Sequence, residues 1–187
     1  ATFTHFATTK QALTRNPDKS PWILPLNGEW QFRCEASPED ALRFTEGAAF
    51  TASAEWVSIR VPGNLQTQGY GKPHYTNVQM PWPHQPPHVP SDNPTGVYRR
   101  TFTVPAAWSG RRTVVHFGGA TSVLAVYVNG IAVGLSKDSC LPAEFDISAA
   151  VRIGSENELV ALVIKWSDAT FIEDQDQWWL SGLHREV

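Results

Sequence analysis

Ser122-Val-Leu-Ala-Val-Tyr-Val128, followed by Asn129-Gly130 and then Ile131-Ala-Val-Gly134, is two apolar runs joined by a two-residue turn. Asn-Gly between such runs signals a β-hairpin, because a type I′ turn needs positive φ at both central residues and these two residue types tolerate it. Working outward, strand-length segments recur on both sides. Gly28-Glu-Trp-Gln-Phe32 alternates after the turn signal Leu26-Asn-Gly28, and Trp56-Val-Ser-Ile-Arg-Val61, Val97-Tyr-Arg-Arg-Thr-Phe-Thr-Val104 and Thr113-Val-Val-His-Phe117 follow. Glu158-Leu-Val-Ala-Leu-Val-Ile-Lys-Trp166 reads as a buried strand. Helix-period segments are scarce, with room for one short helix around Pro38 to Phe44. Asp146, in Glu144-Phe-Asp-Ile-Ser-Ala-Ala-Val151, is placed to cap a single helical turn. Short strands divided by turn signals predict an all-β fold of the sandwich type.

The middle of the chain breaks this rhythm. Seven of the fourteen prolines lie between Pro73 and Pro94. Proline removes ladder donors and pushes its predecessor toward extended geometry, so residues 70 to 95 are expected to form a long excursion. Tyr75, Met80 and Trp82 within it favour order, and excursions of this length in compact domains are commonly functional.

Composition narrows the function. At 187 residues the chain suits one domain with an arm, and a net charge of −3 with no basic stripe leaves nucleic acid without its electrostatic footprint. No apolar run reaches the roughly 18 residues that span a bilayer, and the N-terminus lacks a signal-peptide pattern, so a soluble cytoplasmic protein is expected. Cys34 and Cys140 match no metal-ligand or redox spacing and read as buried free thiols. Charged residues are 18%, below the usual quarter, while eight Trp and nine Phe supply much aromatic surface. That balance suits a domain that buries part of its outside against other domains. The ending Leu183-His-Arg-Glu-Val187 carries no polar tail and reads like a cut within a longer polypeptide.

The chemistry gathers in Phe171-Ile-Glu-Asp-Gln-Asp-Gln-Trp-Trp-Leu-Ser-Gly182. Glu173, Asp174 and Asp176 supply hydrogen-bond acceptors, and Trp178 and Trp179 supply flat faces on which sugar rings stack. An acidic loop covering a core tryptophan is the competing reading. Asp174 and Asp176 at i, i+2 have a separation compatible with a glycosidase carboxyl pair, but binding hydroxyls or a cation is the simpler role. His84 and His88 have a spacing that would face a metal on a helix, but Pro86 and Pro87 forbid the helix and leave loop histidines. Ser122, Ser136, Ser139 and Ser181 lie in no nucleophile elbow, and Gly118-Gly119 lacks the partners of a phosphate-binding loop.

Several blocks taken together resemble a known family. Leu26-Asn-Gly-Glu-Trp30, Val61-Pro-Gly-Asn-Leu-Gln66 with Gly69-Tyr70, Tyr75-Thr-Asn-Val78, Asn93-Pro-Thr-Gly96, Leu141-Pro-Ala-Glu-Phe-Asp146, Trp166-Ser-Asp168, Glu173-Asp-Gln-Asp-Gln-Trp178 and Ser181-Gly182 occur in order. They resemble the N-terminal domain of glycoside hydrolase family 2 β-galactosidases. The resemblance covers residue 26 to the end, and implies an N-terminal arm over 1–25 and a jelly-roll β-sandwich sugar-binding domain over 26–187. It implies hydrolysis of terminal non-reducing β-D-galactosides by a longer, homo-oligomeric enzyme, with both catalytic glutamates in a (β/α)8 barrel and no catalytic residue in this chain. By the same resemblance Asn77 and Asp176 bind substrate, and Asp176 also ligates sodium. An amide that donates and accepts, beside a carboxylate that accepts strongly, suits recognition of specific sugar hydroxyls. Magnesium is implied at Asp168, but Lys137 stands where relatives have a glutamine ligand, so a Lys137–Asp168 ion pair is the structural alternative. A stand-alone carbohydrate-binding module is the alternative function, since jelly rolls serve that purpose too.

Overall fold

The computed structural model describes residues 4–45, 55–83 and 85–187. Among these the strands, in chain order, are β1 (Gly28–Glu35), β2 (Val57–Val61), β3 (His74–Thr76), β4 (Thr95–Thr103), β5 (Val114–Phe117), β6 (Ala120–Thr121), β7 (Val123–Val128), β8 (Ile131–Ser136), β9 (Ala143–Asp146), β10 (Glu156–Ile164), β11 (Gln177–Trp179) and β12 (Gly182–Leu183). A six-stranded antiparallel sheet runs β2-β1-β4-β10-β7-β8, and the small pairs β5–β9, β6–β12 and β3–β11 complete the strands. The all-β jelly-roll sandwich expected from the sequence is the observed fold.

Side-chain alternation explains where the core sits. In β10, Leu159, Ala161 and Val163 face a cluster shared with Trp30, Phe32, Tyr98 and Leu124, into which β5 and β9 send Phe117 and Phe145. The intervening Val160 and Leu162 face the other side, where Ala41 and Phe44, in and just after the short helix α1 (Pro38–Leu42), cover the sheet. Both faces of β10 are therefore buried, which is why its sequence is an unbroken apolar run. The helix expected near Pro38 is present, begun by the Ser37 side chain accepting from the Asp40 N–H.

The hairpin expected at Asn129-Gly130 is β7–β8, with φ of 52° at Asn129 and 78° at Gly130. Asp146 accepts from the Ser148 N–H, and the Val151 N–H closes a single helical turn onto the Ile147 carbonyl. Asp146 thus caps this turn, and it also ends a strand, Ala143–Asp146, that no alternation announces. The two cysteines are free, but neither is buried: Cys34 is exposed and Cys140 half-buried. Cys34 continues the inward phase of Trp30 and Phe32, yet it lies beyond the ring of core side chains. Among the described residues no helix is long and apolar enough to cross a membrane.

Candidate carbohydrate-binding site

Several of the sequence blocks that carry the resemblance turn out to be scaffold. The Asn93 side chain donates to the Trp166 carbonyl at 2.8 Å and accepts from the Trp166 N–H at 2.9 Å, so one amide fixes the chain just after β10. The Gln66 side chain holds Ser181 in the same two-sided manner, at 2.9 Å through both its amide nitrogen and its oxygen. Gly182 sits at φ 127°, and a Cβ there would lie 2.8 Å from the Gly63 carbonyl oxygen, so only glycine lets β12 approach the loop after β2.

These clamps position a ribbon at the edge of the domain. β3 and β11 pair antiparallel with Thr76 opposite Gln177, Tyr75 opposite Trp178 and His74 opposite Trp179. Asn77 follows β3 and Asp176 precedes β11, so both flank the Thr76–Gln177 pair that ends the ribbon. Two residues about a hundred positions apart thus come to one end of one ribbon, both exposed. The Tyr75 hydroxyl donates to Asp176 Oδ1, and the Asp176 carboxylate, by that bond and then by its charge, holds the Tyr75 phenol above its ordinary value. Trp179 Nε1–H donates to Thr76 Oγ1 across the strands.

The rest of the acidic segment parts company with Asp176. Glu173 Oε1 accepts from the Ser139 N–H at 3.0 Å, a loop-holding contact. Asp174 is half-buried, whereas Asp176 faces solvent, so the two aspartates occupy different environments. Trp178 is 57% exposed, while Trp179 packs its ring 5.5 Å from that of Trp166. One tryptophan offers an open face and the other is packing.

Trp166 anchors the Pro-rich excursion. Its ring meets Trp82 at 4.7 Å and His74 at 6.3 Å, and Trp82 also meets Phe171 at 5.8 Å. The order expected from Trp82 is explained by these contacts. His88 is exposed, its N–H bonded to the Gln85 carbonyl, as a loop histidine would be. His84 lies outside the described residues.

Behind the ribbon is a cavity of about 290 Å³, lined by Asn64, Ser139, Lys165, Trp166, Glu173 and Trp179 among others. Sequence reading missed Lys165, whose only signal was a cation at the end of an apolar run. It is 5% exposed, and its ammonium contacts the Lys72 carbonyl at 3.3 Å and His74 Nδ1 at 3.2 Å. No carboxylate lies within ion-pair distance of it among the described residues. Burial pushes Lys165 down to about 8, and partial burial followed by the Lys165 charge also lowers His74.

Because the folded value lies below the 10.5 of free lysine, the folded chain binds fewer protons between about pH 8 and 10.5. Lys165 therefore weakens the fold at neutral pH, and the penalty fades as pH rises through that window. Lys165→Met is expected to stabilise the fold by on the order of 1–3 kcal/mol at pH 7 and to lose that advantage by about pH 10. Thermal unfolding of both proteins across this range measures it; a difference independent of pH would refute the account.

Asp168 is taken by a cation of the chain itself. Its carboxylate pairs with the Lys137 ammonium and also accepts from the Ala169 N–H, and these contacts hold it below the usual carboxylate range. Among the described residues no group of three His, Cys, Asp or Glu side chains is disposed to hold a metal.

Fold and ribbon together define a β-sandwich domain whose edge presents an amide, a carboxylate and an open aromatic face, the chemistry of a sugar-facing surface. The chain belongs to the family described as glycosyl hydrolases family 2, sugar binding domain, which matches residues 23–187. It is 48% identical over 183 residues to a β-galactosidase of Psychromonas ingrahamii, covering 98% of this chain and 17% of that protein. It is 50% identical over 164 residues to a β-galactosidase of Alteromonas mediterranea, covering 87% of this chain and 16% of that one. The chain thus spans only about a sixth of the length of the curated relatives it matches. Among solved structures, a β-glucuronidase of Ruminococcus gnavus superposes with a TM-score of 0.56 at 21% identity, covering 76% of this chain and 21% of that one. A β-glucuronidase of Lactobacillus rhamnosus does so at 0.56 and 24% identity, over 75% of this chain and 20% of that one. At such identities the superpositions speak for the fold alone.

Proposed function

We propose that this chain is the N-terminal sugar-binding domain of a β-galactosidase that hydrolyses terminal non-reducing β-D-galactosides. It supplies one wall of an active site whose two catalytic glutamates lie in a barrel domain outside these residues. The observation that carries the reading is the β3–β11 ribbon, which brings Asn77 and Asp176 to the same exposed end. Neither lines the cavity behind the ribbon, and both stand exposed, as residues of a wall awaiting its other side would be. Asn77 donates to and accepts from sugar hydroxyls, and Asp176 accepts from one. A pocket that pairs a given hydroxyl rejects the epimer lacking it, because its own polar groups would be left unpaired.

Sodium belongs to the same proposal. Asp176 Oδ1 is engaged by Tyr75 and its second oxygen has no partner among the described residues, so the carboxylate fits as one hard oxygen ligand, the rest coming from outside the chain. Bound there, the ion would supply positive charge and an open ligand position for a sugar oxygen. Asp168 fits magnesium poorly, since the Lys137 ammonium stands against its carboxylate, and the Lys137–Asp168 ion pair is the reading we adopt. The division into an arm over 1–25 and a domain over 26–187 rests on the buried core beginning at Leu26, whose N–H bonds to the Val187 carbonyl. Two free thiols suit a reducing, cytoplasmic compartment, and exposed Leu13, Ile131 and Leu135 suit burial against further domains or a second copy.

The full-length polypeptide is expected to hydrolyse p-nitrophenyl β-D-galactoside and to leave the corresponding glucoside and glucuronide nearly untouched. Preference for the glucuronide would overturn the proposal. Titrating the 187-residue chain with galactose separates the remaining alternative: millimolar or weaker binding fits one wall of a split site, whereas tight binding that protects Trp178 marks a stand-alone binding module.

A further inference from the structure

We propose that Tyr75 is a positioning residue for Asp176: its hydroxyl fixes the carboxylate in one orientation, so that one oxygen is engaged and the other is presented to the sugar. The inference rests on the reading of Asp176 as a substrate-binding residue. Asp176 stands exposed on irregular backbone immediately before β11, where an unrestrained side chain samples several rotamers and loses that freedom when it binds. The Tyr75 hydroxyl bonded to Oδ1 removes most of it in advance, which is how preorganisation gains affinity.

Tyr75 is itself held. It lies in β3 directly across from Trp178, and the two rings meet at 5.6 Å with an interplanar angle of 46°. The strand on either side is pinned by His74 against Trp166 and by Thr76 accepting from Trp179 Nε1–H. A hydroxyl on such a mount is a fixed donor, and among the described residues it leaves Asn77 without a bond of its own. The half-exposed Tyr75 ring supports no part of the main core, so its hydroxyl has no evident structural duty besides Asp176.

The test is a double-mutant cycle in the full-length polypeptide with Tyr75→Phe, Asp176→Asn and the double variant, reading kcat and KM for a β-galactoside alongside the melting temperature. Tyr75→Phe is expected to lower kcat/KM about tenfold, mostly through KM, with an unchanged melting temperature. In the Asp176→Asn background the same change is expected to cost almost nothing, because the group it positions is already altered. A Tyr75→Phe variant as active as the parent, or one whose loss is undiminished in the double variant, overturns the positioning role while leaving Asp176 intact. An Asp176→Asn variant of full activity removes the functional reading beneath it, and the two failures are thereby told apart.

Discussion

Asp176→Asn in the full-length polypeptide is expected to lower kcat/KM for a β-galactoside by on the order of 100-fold, with assembly and melting temperature unchanged. The side chain is exposed and supports nothing in the core, so the fold has no reason to respond. The chemistry does, because an amide in place of the carboxylate weakens a charge-assisted acceptor and presents a donor where a hydroxyl donates. Steady-state kinetics with size-exclusion chromatography measure both halves. Retained turnover would leave the ribbon with only a packing role, and the substrate-binding reading would fall.

Phe32→Ala is expected to have the opposite signature, a loss of stability of about 3–5 kcal/mol. Phe32 is wholly buried in β1, with its ring 4.7 Å from Tyr70 and 5.0 Å from Tyr98 in edge-on geometry. Truncation would leave a cavity between the rings that the sheet is too rigid to close. For a domain of this size the melting temperature should fall by roughly 6–20 °C. Tyr70 begins the excursion that carries β3, so the variant should also loosen the ribbon, and activity at temperatures well below melting should fall less than in Asp176→Asn. A stability change under about 1 kcal/mol would show that the site collapses around the deletion.

The long strands were legible because their periodicity is local. β1, β2, β4, β5, β7, β8 and β10 all fall on segments read from alternation or apolar runs, and the Asn129-Gly130 turn announced the hairpin through its own φ requirement. β3, β6, β9, β11 and β12 hold between two and four residues each, too few to establish a period, and their pairing partners lie far along the chain. Cys34 shows the limit of parity: the phase was inward, but the core had already ended.

Residue chemistry alone thus determined an all-β chain with an acidic, tryptophan-rich segment, and the ordered blocks determined its family. Where Asp168 and the acids of this segment end up was decided only by tertiary structure. Glu173 went to a backbone amide, Asp168 to Lys137, and Asp176 to the end of a ribbon beside Asn77. Lys165 gained its depressed proton affinity from burial, which no strand pattern encodes. The physical reason is the same throughout: alternation and turn preference act over a few residues, whereas burial, ion pairing and strand register depend on partners from about thirty to about a hundred positions away.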